Sequence, residues 1–133
     1  ANYFVNGFKA LYKPGVVSSE VVSLWPYPAP EKKLLDHKVK NNLINHRLQD
    51  LSNFWMQDVY KDDEGSLRCV GTDGFVGVMA CHGDDLDDSV DKLYRKLAKL
   101  RITGNLQYRT KYDHLEQING RLNKLKSLGV EVL

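Results

Sequence analysis

The stretch from Gly71 to Thr110 decides the fold of this chain: GTDGFVGVMACHGDDLDDSVDKLYRKLAKLRITGNLQYRT. It predicts a strand from Phe75 to Cys81, a glycine-acid turn at 82–85, a helix of about 15 residues from Leu86, and a second strand from Asn105 to Arg109. Because the first strand is apolar on both faces, we expect it to lie centrally in a sheet with the helix against one side.

The helix is the best-defined element of this stretch. Asp84 or Asp85 supplies its N-cap, and more acids follow in the first turns, where the backbone N–H groups point. Basic residues crowd the other end, where they favour the helix dipole. The apolar residues recur at alternating steps of four and three and form one stripe: Leu86, Val90, Leu93, Leu97 and Leu100.

Size and composition restrict the class of protein. With 133 residues, 42% of them hydrophobic, the chain can bury one core, and we expect a single domain. Its 19 basic and 17 acidic residues leave a net charge of +2, which predicts no nucleic-acid partner. No apolar run is long enough to span a bilayer, so we expect no membrane partner. Two cysteines are too few for a disulfide scaffold, which favours the reducing cytoplasm. The first residue is Ala rather than Met, and we expect a chain that was processed, tagged or cut from a longer polypeptide.

The first half of the chain mixes strand and helix signals. Tyr3 to Tyr12 predicts one strand or two short ones, and Val16 to Trp25 predicts another. The segment from Pro26 to Pro30 contains three prolines, which lack N–H donors, so we expect an extended surface connector. Glu31 to Phe54 is the longest helical candidate, although its imperfect periodicity leaves open a break near 41–42.

Strands separated by turns, and a second helix, complete the prediction for the chain. Three strands, Phe54 to Lys61, Ser66 to Val70 and Phe75 to Cys81, predict an antiparallel meander with Cys69 and Cys81 on neighbouring strands. Further on, we expect Asp113 to cap a helix with a leucine-rich face that ends at Gly129, followed by a closing strand from Val130 to Leu133. The predicted fold class is α+β: a strand meander followed by alternating strand, helix, strand, helix and strand, in a single domain.

The strand–helix junction at His82 and Gly83 is one candidate ligand site. Exposed N–H groups at such a junction can receive a phosphate or carboxylate, and Gly83 would let a ligand approach the backbone. Asp84 and Asp85 would occupy the same helix end and repel an anion. A plain capping role for the acids is therefore the favoured interpretation.

A second candidate is the edge formed by Tyr108, Arg109, Lys111 and Tyr112. Arg and Tyr can clamp a phosphate or the carboxylate of a partner, although an ordinary exposed strand end explains the same residues slightly better. The sequence shows no nucleophile with a paired base and no metal-ligand spacing. We therefore expect no catalytic residues and no metal site in this chain.

The segment from Gly71 to Asp113 resembles the end of the C-terminal domain of phosphoribosylamine-glycine ligases, members of the ATP-grasp superfamily. In that family a glycine-bearing strand leads to a Gly-Asp turn, a helix of the type D-[TSL]-x-E-A-x-x-x-x-Y, and a Y-R-x-D segment. The matching residues are Val76-Gly77-Val78, Gly83-Asp84, Leu86-Asp87-Asp88-Ser89, Tyr94 and Tyr108-Arg109. Ser89 replaces the usual Ala, and Lys111-Tyr112-Asp113 replaces the D-I-G ending. The tail from Asp113 to Leu133 resembles the extra helix and strand of divergent, often bacteriophage-encoded, relatives.

The resemblance implies an ATP-dependent ligation in purine biosynthesis, in which a carboxylate is joined to an amine through an acyl phosphate with Mg²⁺. In the family the residues that bind ATP and Mg²⁺ lie upstream of this region. The chain alone is therefore expected to bind no cofactor, and its expected partner is the upstream ATP-grasp body or another protein. The alternative is a free-standing small binding or interaction protein without enzymatic activity, which engages its partner through a sheet edge or the proline-rich segment.

Overall fold

The chain folds around two long antiparallel strands in the computed structural model, which describes residues 14–29, 31–45 and 49–131. In chain order the elements are β1 (Val16–Leu24), α1 (Lys32–Lys38), β2 (Leu43–Ile44), β3 (Phe54–Met56), β4 (Val59–Lys61), β5 (Leu67–Cys69), β6 (Phe75–Gly83), α2 (Leu86–Lys99), β7 (Leu106–Gln107) and α3 (Lys111–Ser127). The main sheet has the strand order β3-β6-β1-β7, and a smaller one has the order β2-β5-β4. All pairs are antiparallel. The predicted α+β class with a strand meander is confirmed.

The strand and helix that the sequence defines best are both present. β6 is an interior strand of the main sheet, and none of its residues is exposed. α2 follows it directly, with Asp85 as the N-cap whose side chain accepts from the Asp88 N–H. Val90, Leu93 and Leu97 of α2 are buried against the sheet. The predicted central strand covered by a helix is therefore confirmed.

The last helix is present, with a different N-cap from the predicted one. Thr110 caps α3, because its hydroxyl accepts from the Asp113 N–H at 3.2 Å and donates to the Asp113 carboxylate at 2.9 Å. The predicted cap at Asp113 is therefore wrong, since this residue lies inside the first turn. Gly129 takes φ +79° just after the helix, as predicted, and the Val130 N–H donates to the Leu125 carbonyl in a Schellman ending. Of the predicted closing strand, Val130 and Glu131 are not in a strand, and 132–133 lie outside the described residues.

The first half departs most from the predictions. The predicted helix over Glu31 to Phe54 is wrong beyond its first two turns, because α1 ends at Lys38 and Asn41 takes the left-handed conformation with φ +66°. The chain then pairs as β2 with β5, which carries Ile44 into the core. The predicted strand over 16–25 is confirmed as β1, and the strand predicted at Tyr3 to Tyr12 lies outside the described residues.

Two other connections are also corrected. Over residues 26–29 the proline-rich segment is folded into hydrogen-bonded turns rather than extended, with the Tyr27 N–H donating to the Leu24 carbonyl, and Pro30 lies outside the described residues. The predicted strand over 54–61 divides at Asp58, whose φ is +59°, into β3 in the main sheet and β4 in the smaller one.

The partner of β6 differs from the predicted one. We expected Phe75 to Cys81 to pair with the strand before it, yet β5 pairs with β2 and β4 in the smaller sheet. β6 pairs instead with β1, from Val16 opposite Gly83 to Ser23 opposite Phe75. Two nine-residue strands satisfy far more backbone groups together than either could with the three-residue β5. For the same reason Cys69 and Cys81 lie in different sheets, and both are free thiols.

Candidate functional site

A groove between β1 and α3 is lined by two buried titratable side chains, Glu20 and His114. It encloses about 460 Å³. One wall is the β1 segment from Val16 to Val21, and the other is α3 with the residue before its cap, Arg109. We call it the β1–α3 groove, and its lining residues are Val16, Val17, Ser18, Ser19, Glu20, Val21, Leu86, Arg109, His114, Gln117, Ile118, Arg121 and Leu122.

A buried hydrogen bond between a carboxylate and an imidazole joins the two walls of the groove. The Glu20 Oε2 atom lies 2.7 Å from His114 Nδ1, and the two side chains are 3% and 6% exposed. The other Glu20 oxygen accepts from the Val21 N–H at 3.2 Å and lies 3.9 Å from an Arg109 guanidinium nitrogen. A buried carboxylate needs such partners, because removal from water strongly disfavours an unpaired charge.

His114 is oriented by this carboxylate. Its Nδ1–H donates to Glu20, whereas its Nε2 atom is buried with no hydrogen-bond partner among the described residues. A carboxylate that holds one imidazole nitrogen fixes the ring and makes the other nitrogen a better base or ligand. The pair therefore anchors α3 to the sheet and leaves one buried imidazole nitrogen without a hydrogen-bond partner among the described residues.

An aromatic cluster lies behind the pair. The Tyr94 ring contacts the His114 ring edge-on at 5.6 Å and the Tyr108 ring at 6.4 Å between centroids. The Tyr94 hydroxyl donates to the Arg109 carbonyl at 2.8 Å. Burial, and then the Glu20 charge, raise the pKa of Tyr94 far above its ordinary value. Tyr94 is thus a neutral hydrogen-bond donor across the physiological pH range.

The structure places the five predicted ligand-binding residues at two locations. Tyr108 and Arg109 meet at Tyr94, and Arg109 lines the β1–α3 groove. Lys111 forms an ion pair with Asp91 of α2. The ligand-binding role of these three residues stays a prediction.

His82 and Gly83 lie at the other location, where β6 meets α2. The His82 Nε2 atom is 2.6 Å from the Pro14 carbonyl oxygen. Gly83 packs so closely on the helix that a Cβ atom there would lie 2.3 Å from the Ser89 nitrogen. Both residues thus have structural contacts, and their ligand-binding role also stays a prediction.

Sequence reasoning missed Glu20 and His114, which are 94 positions apart. One signal was available for Glu20. In a strand of alternating burial, Ser18, Glu20 and Val22 all face inward, and a charged residue at an inward position requires a partner. His114 had a signal too, because it lies four positions before Ile118 and eight before Leu122, on the same face of α3 as the leucine stripe.

Other titratable groups have ordinary structural explanations. Burial raises the pKa of Cys69 to about 11, so its thiol is not a reactive thiolate. On α2 the Lys92 ammonium lowers the pKa of Asp88 by a hydrogen bond of 2.9 Å. Within the described ranges, no three His, Cys, Asp or Glu side chains are arranged to hold a metal ion. No helix in the described part of the chain is long and apolar enough to cross a membrane.

No protein-family model matches the chain, and no curated protein matches it.

Proposed function

We propose that this chain is the C-terminal domain of a phosphoribosylamine-glycine ligase-like ATP-grasp enzyme, which joins a carboxylate to an amine at the expense of ATP. The domain is not catalytic alone, and it packs against an upstream ATP-grasp body that binds ATP and Mg²⁺.

The hydrogen bonds of Tyr94 carry this proposal. Its hydroxyl lies 2.8 Å from the Arg109 carbonyl and 3.2 Å from the Thr110 carbonyl, so it ties α2 to the segment after β7. Tyr94 and Tyr108-Arg109 are two separate parts of the family pattern that the sequence resembles. A direct contact between these two parts of the pattern gives them one shared structural role. It supports a single structural unit of the family type over unrelated chance matches.

Exposed apolar side chains add support. Leu125, Leu128 and Val130 at the end of α3 are 39%, 70% and 46% exposed, and Trp55 on β3 is 62% exposed. A domain that packs against a missing body would present such a surface, whereas a free-standing binding protein would be expected to leave no orphan apolar patch. The exposure therefore favours the domain over the alternative function.

The test is to read the coding frame on the 5′ side of Ala1 and to express the complete polypeptide. The proposal expects about 200 further residues, a domain-sized length, with ATP-grasp signatures. It also expects ADP release that requires Mg²⁺, glycine and phosphoribosylamine together. Isothermal titration of the isolated chain with Mg·ATP should give no heat.

A matched pair of variants tests the contact that carries the proposal. Tyr94→Phe in the complete enzyme should lower the free energy of unfolding by about 1 kcal/mol and reduce ligation, since the hydroxyl bonds are lost. Tyr60→Phe in the smaller sheet, which removes a hydroxyl bonded to the Asn41 side chain, should leave ligation unchanged. A frame that starts within a few codons of Ala1, or a complete protein that releases no ADP with these substrates, would overturn the proposal.

A further inference from the structure

The outer edge of β1 is open over most of its length in the described part of the chain. β7 pairs with β1 only at Ser23 and Leu24. From Val16 to Val22, no described strand pairs with β1 on the side away from β6. This edge spans about 20 Å, or six residues of extended chain. Long open edges are normally blocked in native proteins, because they can add a strand from another chain.

Hydrogen bonds show which backbone groups face the open edge. The Leu24 N–H donates toward β6, to the Gly74 carbonyl, whereas the Trp25 N–H donates toward β7, to the Asn105 carbonyl. Successive residues of a strand point their N–H and C=O groups to opposite edges. The odd-numbered residues of β1 therefore face outward. In agreement, the Val21 N–H donates to the Glu20 side chain rather than to the backbone of a described neighbouring strand.

The charge exposed along this edge is positive. Glu20, the one acid that lines the β1–α3 groove, is 3% exposed and bonded to His114, while the Arg109 side chain is 55% exposed. Arg121, also exposed, lines the same groove. The half-buried Ile118 and Leu122 provide apolar surface between the two arginines and the sheet.

We propose that the β1–α3 groove binds an extended acidic peptide segment of a partner protein, which adds to the main sheet as a strand beside β1. The backbone groups of Val17 and Ser19 bond the added strand. Its alternate acidic side chains meet Arg109 and Arg121 on the side of the sheet that carries α3, and its other side chains point to the opposite face. The inference does not rest on the ligase proposal, because it uses the sheet edge and the charge of the groove, neither of which enters that argument.

The probe is a fluorescein-labelled hexapeptide of alternating Val and Glu, titrated with the chain and followed by fluorescence anisotropy. The same peptide with Lys in place of Glu should not bind. A version with N-methyl groups at alternate amides should bind at least tenfold more weakly than the Val-Glu peptide, since it cannot form the strand bonds. Because this change is in the peptide, it tests strand addition even if a protein variant fails to fold.

Two variants and a control test the protein side. Ser19→Pro removes an outward N–H while leaving the ladder to β6 intact, as proline permits on an edge strand, and should weaken binding about tenfold. Arg121→Gln should weaken it about two- to fivefold. Arg95→Gln, the same charge change on the outer face of α2, should have no effect.

Several results would overturn the proposal. These are no binding of the Val-Glu peptide at 1 mM, equal binding of the Lys peptide, or binding that neither N-methylation nor Ser19→Pro weakens. A wild-type dimer in light scattering that Ser19→Pro dissociates would make a second copy the occupant. Binding that appears only after deletion of residues 1–13 would make that segment the occupant.

Discussion

Loss of His114 should be among the most destabilising single changes on α3, because it leaves Glu20 buried without its closest partner. Leaving a buried charge without its partner costs about 3–5 kcal/mol. Here the Val21 N–H and Arg109 still contact the carboxylate, so we expect His114→Ala to cost about 3 kcal/mol, the lower end of that range. With a urea m-value of about 1.5 kcal/mol/M, the unfolding midpoint should fall by about 2 M.

Two further variants separate the charge from the packing. Glu20→Gln keeps the shape and an acceptor for His114, and should cost only about 1 kcal/mol, the difference between a charged and a neutral hydrogen bond. Glu20→Met combined with His114→Leu removes both partners and should be less destabilised than His114→Ala alone.

The assay is urea unfolding at pH 7, followed by circular dichroism. Asn119→Ala, at an exposed position of the same helix, is the control for helix propensity. The reasoning is refuted if His114→Ala costs no more than this control, or if the double variant is less stable than His114→Ala.

Three other changes have predictable outcomes. Gly77→Ala should destabilise by about 1–3 kcal/mol in the same assay, because its Cβ would lie 2.3 Å from the Trp55 carbonyl oxygen. Gly120→Ala should stabilise by about 0.5–1 kcal/mol, since no atom lies within 4 Å of its added Cβ on α3. Equal effects of the two alanines would contradict the packing argument. The hydrogen bond from Arg68, at 2.7 Å, lowers the pKa of Asp62, so its stabilisation is complete above the unfolded pKa of about 3.9 and is lost as pH falls further. The free energy of unfolding of Asp62→Asn should therefore fall less between pH 5 and pH 2 than that of the wild type, as acid titration would measure.

The sequence alone determined the elements whose signals are local. The leucine stripe and a cap at Asp84 or Asp85 predict α2 to within one residue of its observed end, and Gly129 predicts the end of α3. A continuous apolar run between glycines likewise predicts β6 as a central strand. These features depend on residues within about one or two helical turns along the sequence, so the local sequence is enough to predict them.

The tertiary structure decided the features that depend on distant partners. β6 pairs with β1, about 60 positions earlier, because among the described strands only β1 matches its length. The predicted helix over 31–54 ends at Lys38, since Asn41 takes the left-handed conformation and the chain then pairs with β5, which buries Ile44. The candidate site follows the same rule. Arg109 was predicted from a local cluster, whereas Glu20 and His114 become a pair only when α3 closes over β1, a contact between segments that no sequence period connects.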